Sequence, residues 1–330
     1  MSGADPIEAA IALAVGLIFG SFANVCVHRI PEGESIAFPG SRCPRCGAAV
    51  RWYDNVPIVS WIVLRARCRD CRAPISAVYP AVEALVGVGF LGAYLKFGPS
   101  IDAFATAWLV FTCVALTVID ARLFLLPDAL TYPGMAAGFA FAAARGALAR
   151  SAGGSLLGSF FDDRPAILGA LGGLAVGAAI PFVARGAYMI VRRIRGGGAA
   201  PAGGEPLAAP DDLSASAATP GAAAPPAGGA EGETDDDIAE AALEEGMGLG
   251  DVKMLAMVGL FLGARMTLVT ILVGSILGCL LVIPWLLLRG RSFRTPVPFG
   301  PFIALGAVVA AFAGPELSSW YSDLVVRMIS

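Results

Sequence analysis

Residues 103–128 read AFATAWLVFTCVALTVIDARLFLLPD: seventeen residues without a charge, then Asp120, Arg122 and a Pro127-Asp128 step. A charge-free run of that length approaches the roughly 20 apolar residues that cross a hydrocarbon core. An ionisable side chain at the edge of such a run is costly and marks function by default. Similar apolar runs lie at 7–27, 78–95, 129–148, 166–191, 252–263, 268–288 and 301–314. The reading is an all-α polytopic membrane protein with eight transmembrane helices; the 252–263 run is short for a span.

The composition agrees. Of 330 residues, 57% are hydrophobic and 15% charged, where a soluble chain carries about 25% charged residues. The net charge of −3 conceals segregation, because residues 196–246 hold eleven acidic residues and no Lys or Arg. The remainder has 23 basic against 15 acidic residues. That excess reads as a topology signal, and no nucleic-acid partner is expected.

No Lys or Arg precedes the first run, while His28 and Arg29 follow it. A signal peptide has the reverse order, so a retained helix with its N-terminus outside is expected. Residues 29–76 carry eight arginines and four acids, which places them in the cytoplasm. Eight spans then put 120–127, 192–250 and 289–294 on the same side. Those segments hold Arg122, Arg192, Arg193, Arg195, Arg289, Arg291 and Arg294. Lys96, Arg150, Arg164 and Arg265 fall outside and blur the asymmetry. Residues 196–230 are rich in Ala, Pro and Gly, which predicts a disordered linker. Its acidic tail, 235–245, suits a short helix. Gly169, Gly173 and Gly177 recur at four-residue spacing, which predicts close helix packing.

Four of seven cysteines form two pairs, Cys43-Pro-Arg-Cys46 and Cys68-Arg-Asp-Cys71, separated by 21 residues. Each pair makes a turn that aims two thiolates at one ion, and Gly47 suits the turn after the first. Four thiolates close a tetrahedral zinc site with no open position, so the Zn(2+) is expected to be structural. Cys26, Cys113 and Cys279 stand alone in apolar runs and read as small core residues. His28 is the single histidine, which excludes a His-Glu-x-x-His metalloprotease.

The charged candidates at span edges are Glu83, Asp120, Asp128, Asp251 and Lys253. The arginine-based topology puts Asp120 and Asp251 at the cytoplasmic ends of their helices, at one depth. Two carboxylates sharing a site hold one proton between them. The ionised one takes a proton from water while its partner protonates a scissile carbonyl. Gly248 and Gly250 remove bulk beside Asp251. On these residues alone, helix capping and proton or ion transport stay open beside catalysis; a proton- or ion-coupled transporter using the Asp pair is the alternative function.

The stretch Gly248-Leu-Gly-Asp251, followed by Val252-Lys253-Met254-Leu255, resembles the second catalytic motif of type IV prepilin peptidases, the leader peptidase/N-methyltransferase family of GxGD aspartyl proteases. Asp120 to Asp128, continuing into Ala-Leu-Thr, resembles the first. Gly20-Ser-Phe-Ala-Asn-Val25 with Arg29-Ile-Pro31 is similar to the first-helix signature. Asp54-Asn-Val-Pro57, Ser60-Trp61 and the cysteine pairs resemble the family's zinc-binding domain. Tyr79-Pro80 with Glu83 and Phe299-Gly-Pro-Phe302 also fit.

The resemblance implies that Asp120 and Asp251 are catalytic, with Gly248, Gly250, Lys253 and Asp128 supporting them. It implies cleavage of type IV prepilins or type II secretion pseudopilins after a Gly, before a hydrophobic helix commonly starting with Phe. It further implies N-methylation of the new terminus with S-adenosylmethionine as methyl donor. No donor site is assigned; Glu83 and the first-helix motif are the candidates. The location implied is the bacterial inner membrane, with the catalytic face cytoplasmic and the oligomeric state open. The expected organisation is a first helix (1–28), a tetracysteine domain (29–77), helices two to five (78–195), the linker (196–246) and helices six to eight (247–330). The linker is longer than the family's usual gap, at little cost in a cytoplasmic loop.

Overall fold

The computed structural model describes residues 5–159, 165–194, 248–290 and 297–329. The expected disordered linker and the acidic helix at 235–245 lie outside the described residues, as do Arg164, Arg195, Arg291 and Arg294.

Local signals account for the helix boundaries. The first helix, α1 (Pro6–Arg29), starts where Asp5 accepts from the Ile7 N–H at 2.8 Å and Pro6 occupies the first turn. After a five-residue α2 (Val59–Val63), α3 (Val78–Phe97) stops at Gly98, whose φ of +63° no helix continues. Ser100 then caps α4 (Ile101–Leu123), which ends on Phe124 in the left-handed region. Next come α5 (Asp128–Ser151), α6 (Ile167–Ile194), α7 (Leu249–Arg289) and α8 (Gly300–Ile329).

Among the described residues, six helices are long and apolar enough to cross a membrane. They include α7 as a single helix and omit the Ala- and Gly-rich α5. The 41-residue α7 is in fact two helices, broken at Gly263 (φ 78°, ψ 173°). Contacts with α8 show that the chain reverses there. An added Cβ at Gly314 would meet Met266, and one at Gly274 would meet Phe302, so α8 runs antiparallel to residues 264–289. The Gly300 end of α8 reaches Asp120, and residues 249–262 start at that same end. Counting the halves of α7 separately, the described residues hold eight long helices, as the apolar runs predicted. The 252–263 and 268–288 runs meet with no loop between them, because one glycine makes the turn.

The first half of α7 lies in the core. Residues 254 to 264 are all buried, which explains how 14 residues, about 21 Å of helix, suffice inside a bundle. Glycines let its neighbours approach. A Cβ at Gly173 would lie 2.0 Å from the Gly259 carbonyl oxygen, and one at Gly177 2.2 Å from that of Leu255. Two members of the predicted glycine stripe thus carry the α6–α7 contact. Gly173→Ala is expected to force the helices apart and cost about 1–3 kcal/mol. The thermal midpoint of detergent-purified protein measures this, and an unchanged midpoint would contradict the packing. On the other flank, Gly16 and Gly20 bring α1 against α3 at Gly87 and Glu83.

Polar contacts separate the two ends of the bundle. At one end, Tyr94 Oη donates to Glu8 (2.6 Å), Lys96 pairs with Glu316 (2.9 Å), and Arg145 pairs with Asp102 (2.8 Å). Arg145 also donates to the Phe261 carbonyl at 3.3 Å, beside the break in α7. At the other end lie His28, Tyr79 and Arg122, with the His28 and Tyr79 rings stacked at 5.2 Å.

Candidate active site and cysteine cluster

Asp120 sits in the last turn of α4 and is only 5% exposed. A buried carboxylate without a donor is expensive, and its donor comes from 180 residues further along the chain. The Gly300 N–H, in the first turn of α8, donates to Asp120 Oδ2 at 3.0 Å. Asp251 occupies the first turn of α7 and is half-buried. The fold brings it to Asp120, close enough for the charge of one carboxylate to act on the other. Gly250 makes that approach possible, since a Cβ there would lie 2.9 Å from Leu126 Cβ in the α4–α5 turn. Gly248 differs: among the described residues a Cβ there would meet only the Gly250 nitrogen, at 3.9 Å.

Asp128 and Lys253 lie at the rim. Lys253 Nζ pairs with Asp128 Oδ1 at 2.6 Å and sits 5.5 Å from the centre of the Tyr132 ring. The pair ties the start of α5 to the start of α7, with side chains 51% and 33% exposed for Asp128 and Lys253. The structure therefore places Asp128 beside the buried acids, with its charge matched by Lys253. The Gly300 contact had no signal of its own in the sequence beyond Phe299-Gly-Pro-Phe302.

The cysteine segment stands at the arginine-rich end. Two similar turns build it. The Cys43 N–H donates to Ala48 O and the Cys68 N–H to Ala73 O, each closing a loop around one pair. Gly47 takes φ +70° in the first, and Arg72 takes φ +59° at the matching place in the second. All four sulfurs lie within 4.8 Å of one another. Tetrahedral Zn–S bonds of about 2.3 Å imply S···S separations of about 3.8 Å, and Cys43 Sγ and Cys71 Sγ are 3.8 Å apart. The residues fit the ion. Backbone N–H groups of Cys46 and Arg45 hold the Cys43 thiol down to about 6, which favours the thiolate a metal needs. Asp54 and Arg69 clasp the segment with two bonds, of 2.5 and 2.8 Å. Arg69 holds the Asp54 carboxyl below the usual range.

Glu83 is 8% exposed and joins this segment to the helices, accepting from the Ile58 N–H at 2.7 Å. Asn24 of the first-helix motif donates to the Tyr79 carbonyl at 3.1 Å. Both candidate methyl-donor groups are thus engaged within the protein.

Residues 14–97 match the Bacterial Peptidase A24 N-terminal domain, and residues 104–283 match the Type IV leader peptidase family. The chain is similar to the Prepilin leader peptidase/N-methyltransferase of Aeromonas hydrophila, 29% identical over 329 residues, covering 92% of this chain and 90% of that protein. It is 30% identical to the protein of that name from Burkholderia pseudomallei (strain K96243), over 93% of this chain and 86% of the relative. The Myxococcus xanthus (strain DK1622) protein of that name is 45% identical over 137 residues, covering 42% of this chain and 41% of its own length. No solved structure matches.

Proposed function

This chain belongs to the type IV leader peptidase family, and we propose that it is an aspartyl endopeptidase of the bacterial inner membrane that removes the leader of type IV prepilins or type II secretion pseudopilins. The observation that supports the reading is that Asp120 and Asp251 lie at one end of the bundle, near enough for the charge of one to act on the other. One proton shared by two neighbouring carboxyls supplies both halves of a hydrolysis. The ionised carboxylate removes a proton from water as its oxygen attacks the scissile carbonyl carbon. The protonated partner donates to the carbonyl oxygen. Collapse of the tetrahedral adduct breaks the C–N bond, the leaving nitrogen takes up a proton, and the dyad returns to its starting state. No covalent bond to the enzyme is needed.

The cytoplasmic face is the reading that the arginines support. Arg29, Arg122 and the arginines of the cysteine segment gather at the Asp120 end. The segment 29–77 would then be a cytoplasmic module with Cys43, Cys46, Cys68 and Cys71 holding one structural Zn(2+). Four thiolates leave the ion no position for water or substrate. The ion supplies rigidity there. N-methylation of the new terminus is the second activity we propose, with S-adenosylmethionine as donor and no residue assigned to it.

Incubating the purified protein with a prepilin and watching for a shortened product tests the reading. Mass spectrometry of the product reads methylation separately. An intact prepilin under conditions where the protein is folded would overturn the peptidase assignment. Asp128→Asn serves as a contrast. Loss of a largely exposed ion pair costs at most about 1 kcal/mol, or about fivefold in rate. A much larger loss in kcat would move Asp128 from the rim into the chemistry.

A further inference from the structure

The first turn of a helix leaves N–H groups without intrahelical partners. In α8 the first of these belongs to Gly300, followed by Pro301, which has no N–H to leave unsatisfied. The one donor at this position points at Asp120 Oδ2, 3.0 Å away and buried. There is no room for a side chain beside that bond. A Cβ on Gly300 would lie 2.5 Å from Asp120 Oδ2 and 3.0 Å from its Cγ. The turn is held from behind, because Gly306 packs against the Thr270 carbonyl oxygen and Gly274 against that of Phe302. The placement of Gly300 is therefore set by the α7–α8 interface.

We propose that Gly300 is a positioning residue for Asp120: its backbone N–H fixes one carboxylate oxygen, and its missing side chain leaves the space that oxygen occupies. This rests on the peptidase reading of the dyad. A carboxylate with one oxygen bonded to a helix terminus cannot turn freely. Its other oxygen is then held in register with Asp251 and the attacking water. Glycine is required at this position for its lack of volume, whereas Pro301 silences the neighbouring donor.

Gly300→Ala, assayed beside the unaltered chain on the same prepilin, provides the test. A misplacement of about 1 Å at the reacting groups costs roughly 10²-fold. The expected result is a kcat lowered by about that factor, with KM within about twofold and an unchanged thermal midpoint. A merely structural glycine would lower the midpoint and the folded yield without separating kcat from KM. Unaltered kcat in Gly300→Ala, with the unaltered chain active, overturns the inference and leaves the peptidase reading intact. An inactive unaltered chain overturns the peptidase reading instead.

Geometry is tested without activity by the pair Asp120→Cys and Gly300→Cys. The Gly300 Cβ position is 3.4 Å from Asp120 Cβ, just under the disulfide spacing of about 3.5–4.5 Å. Oxidation should join the peptides bearing residues 120 and 300, with Asp120→Cys alone as the control. No such cross-link means that α8 does not reach Asp120, which overturns the inference. If Gly300→Ala fails to fold, this cross-link decides.

Discussion

Asp120→Asn and Asp251→Asn, each alone, are expected to leave a folded protein that cleaves prepilin about 10²–10⁴-fold more slowly, or not measurably. Asparagine has the shape of aspartate and keeps an oxygen. The Gly300 N–H therefore still finds an acceptor at position 120, and packing against the first half of α7 is retained. What disappears is the ability to take or give a proton. Because both positions serve one proton-sharing unit, the double variant should be little worse than either single one. Cleavage rate against substrate concentration, with the thermal midpoint as the folding control, separates chemistry from stability. Near-normal turnover in either variant would mean that the acids serve as helix caps or as an ion site.

Metal removal should have the second large effect, confined to the cysteine segment. Among residues 30–77 only Ser60 and Ala73 are buried, and the regular structure is one 3₁₀ turn, the five-residue α2 and two isolated bridges. A segment of this size without a core depends on disulfides or a metal. Structural zinc supplies an apparent 10–16 kcal/mol, in order of magnitude, in small zinc modules. Elemental analysis should find one zinc per chain, absent from Cys43→Ser. Hydrogen exchange in 40–75 should then rise toward that of an unfolded chain, while α4 and the first half of α7 keep their protection. Their stability comes from buried apolar contacts and packed glycines. A metal-free protein with an unchanged exchange pattern would show that the four thiols order themselves unaided.

The spans, the cysteine pairs and the separate conspicuousness of Asp120 and Asp251 were all legible in the chain. Each rests on a local quantity. Hydrophobic length is summed over about 20 neighbouring residues, and two cysteines three apart form a turn wherever they lie. An acid at the edge of an apolar run is costly before any partner is known. Even the α6 glycine stripe carried its meaning, although only the structure named residues 255–263 as its partner.

The tertiary structure alone decided which surfaces meet. Helices this apolar are hydrophobic on every side, so no polar face tells α8 to bring Gly300 to Asp120 or α5 to bring Arg145 to the Phe261 carbonyl. Nor does composition announce that Gly263 reverses the chain, or that Lys253 neutralises Asp128 at the rim. Such contacts join residues up to 180 positions apart. Their energies depend on mutual distance and orientation, which no local pattern of residues encodes.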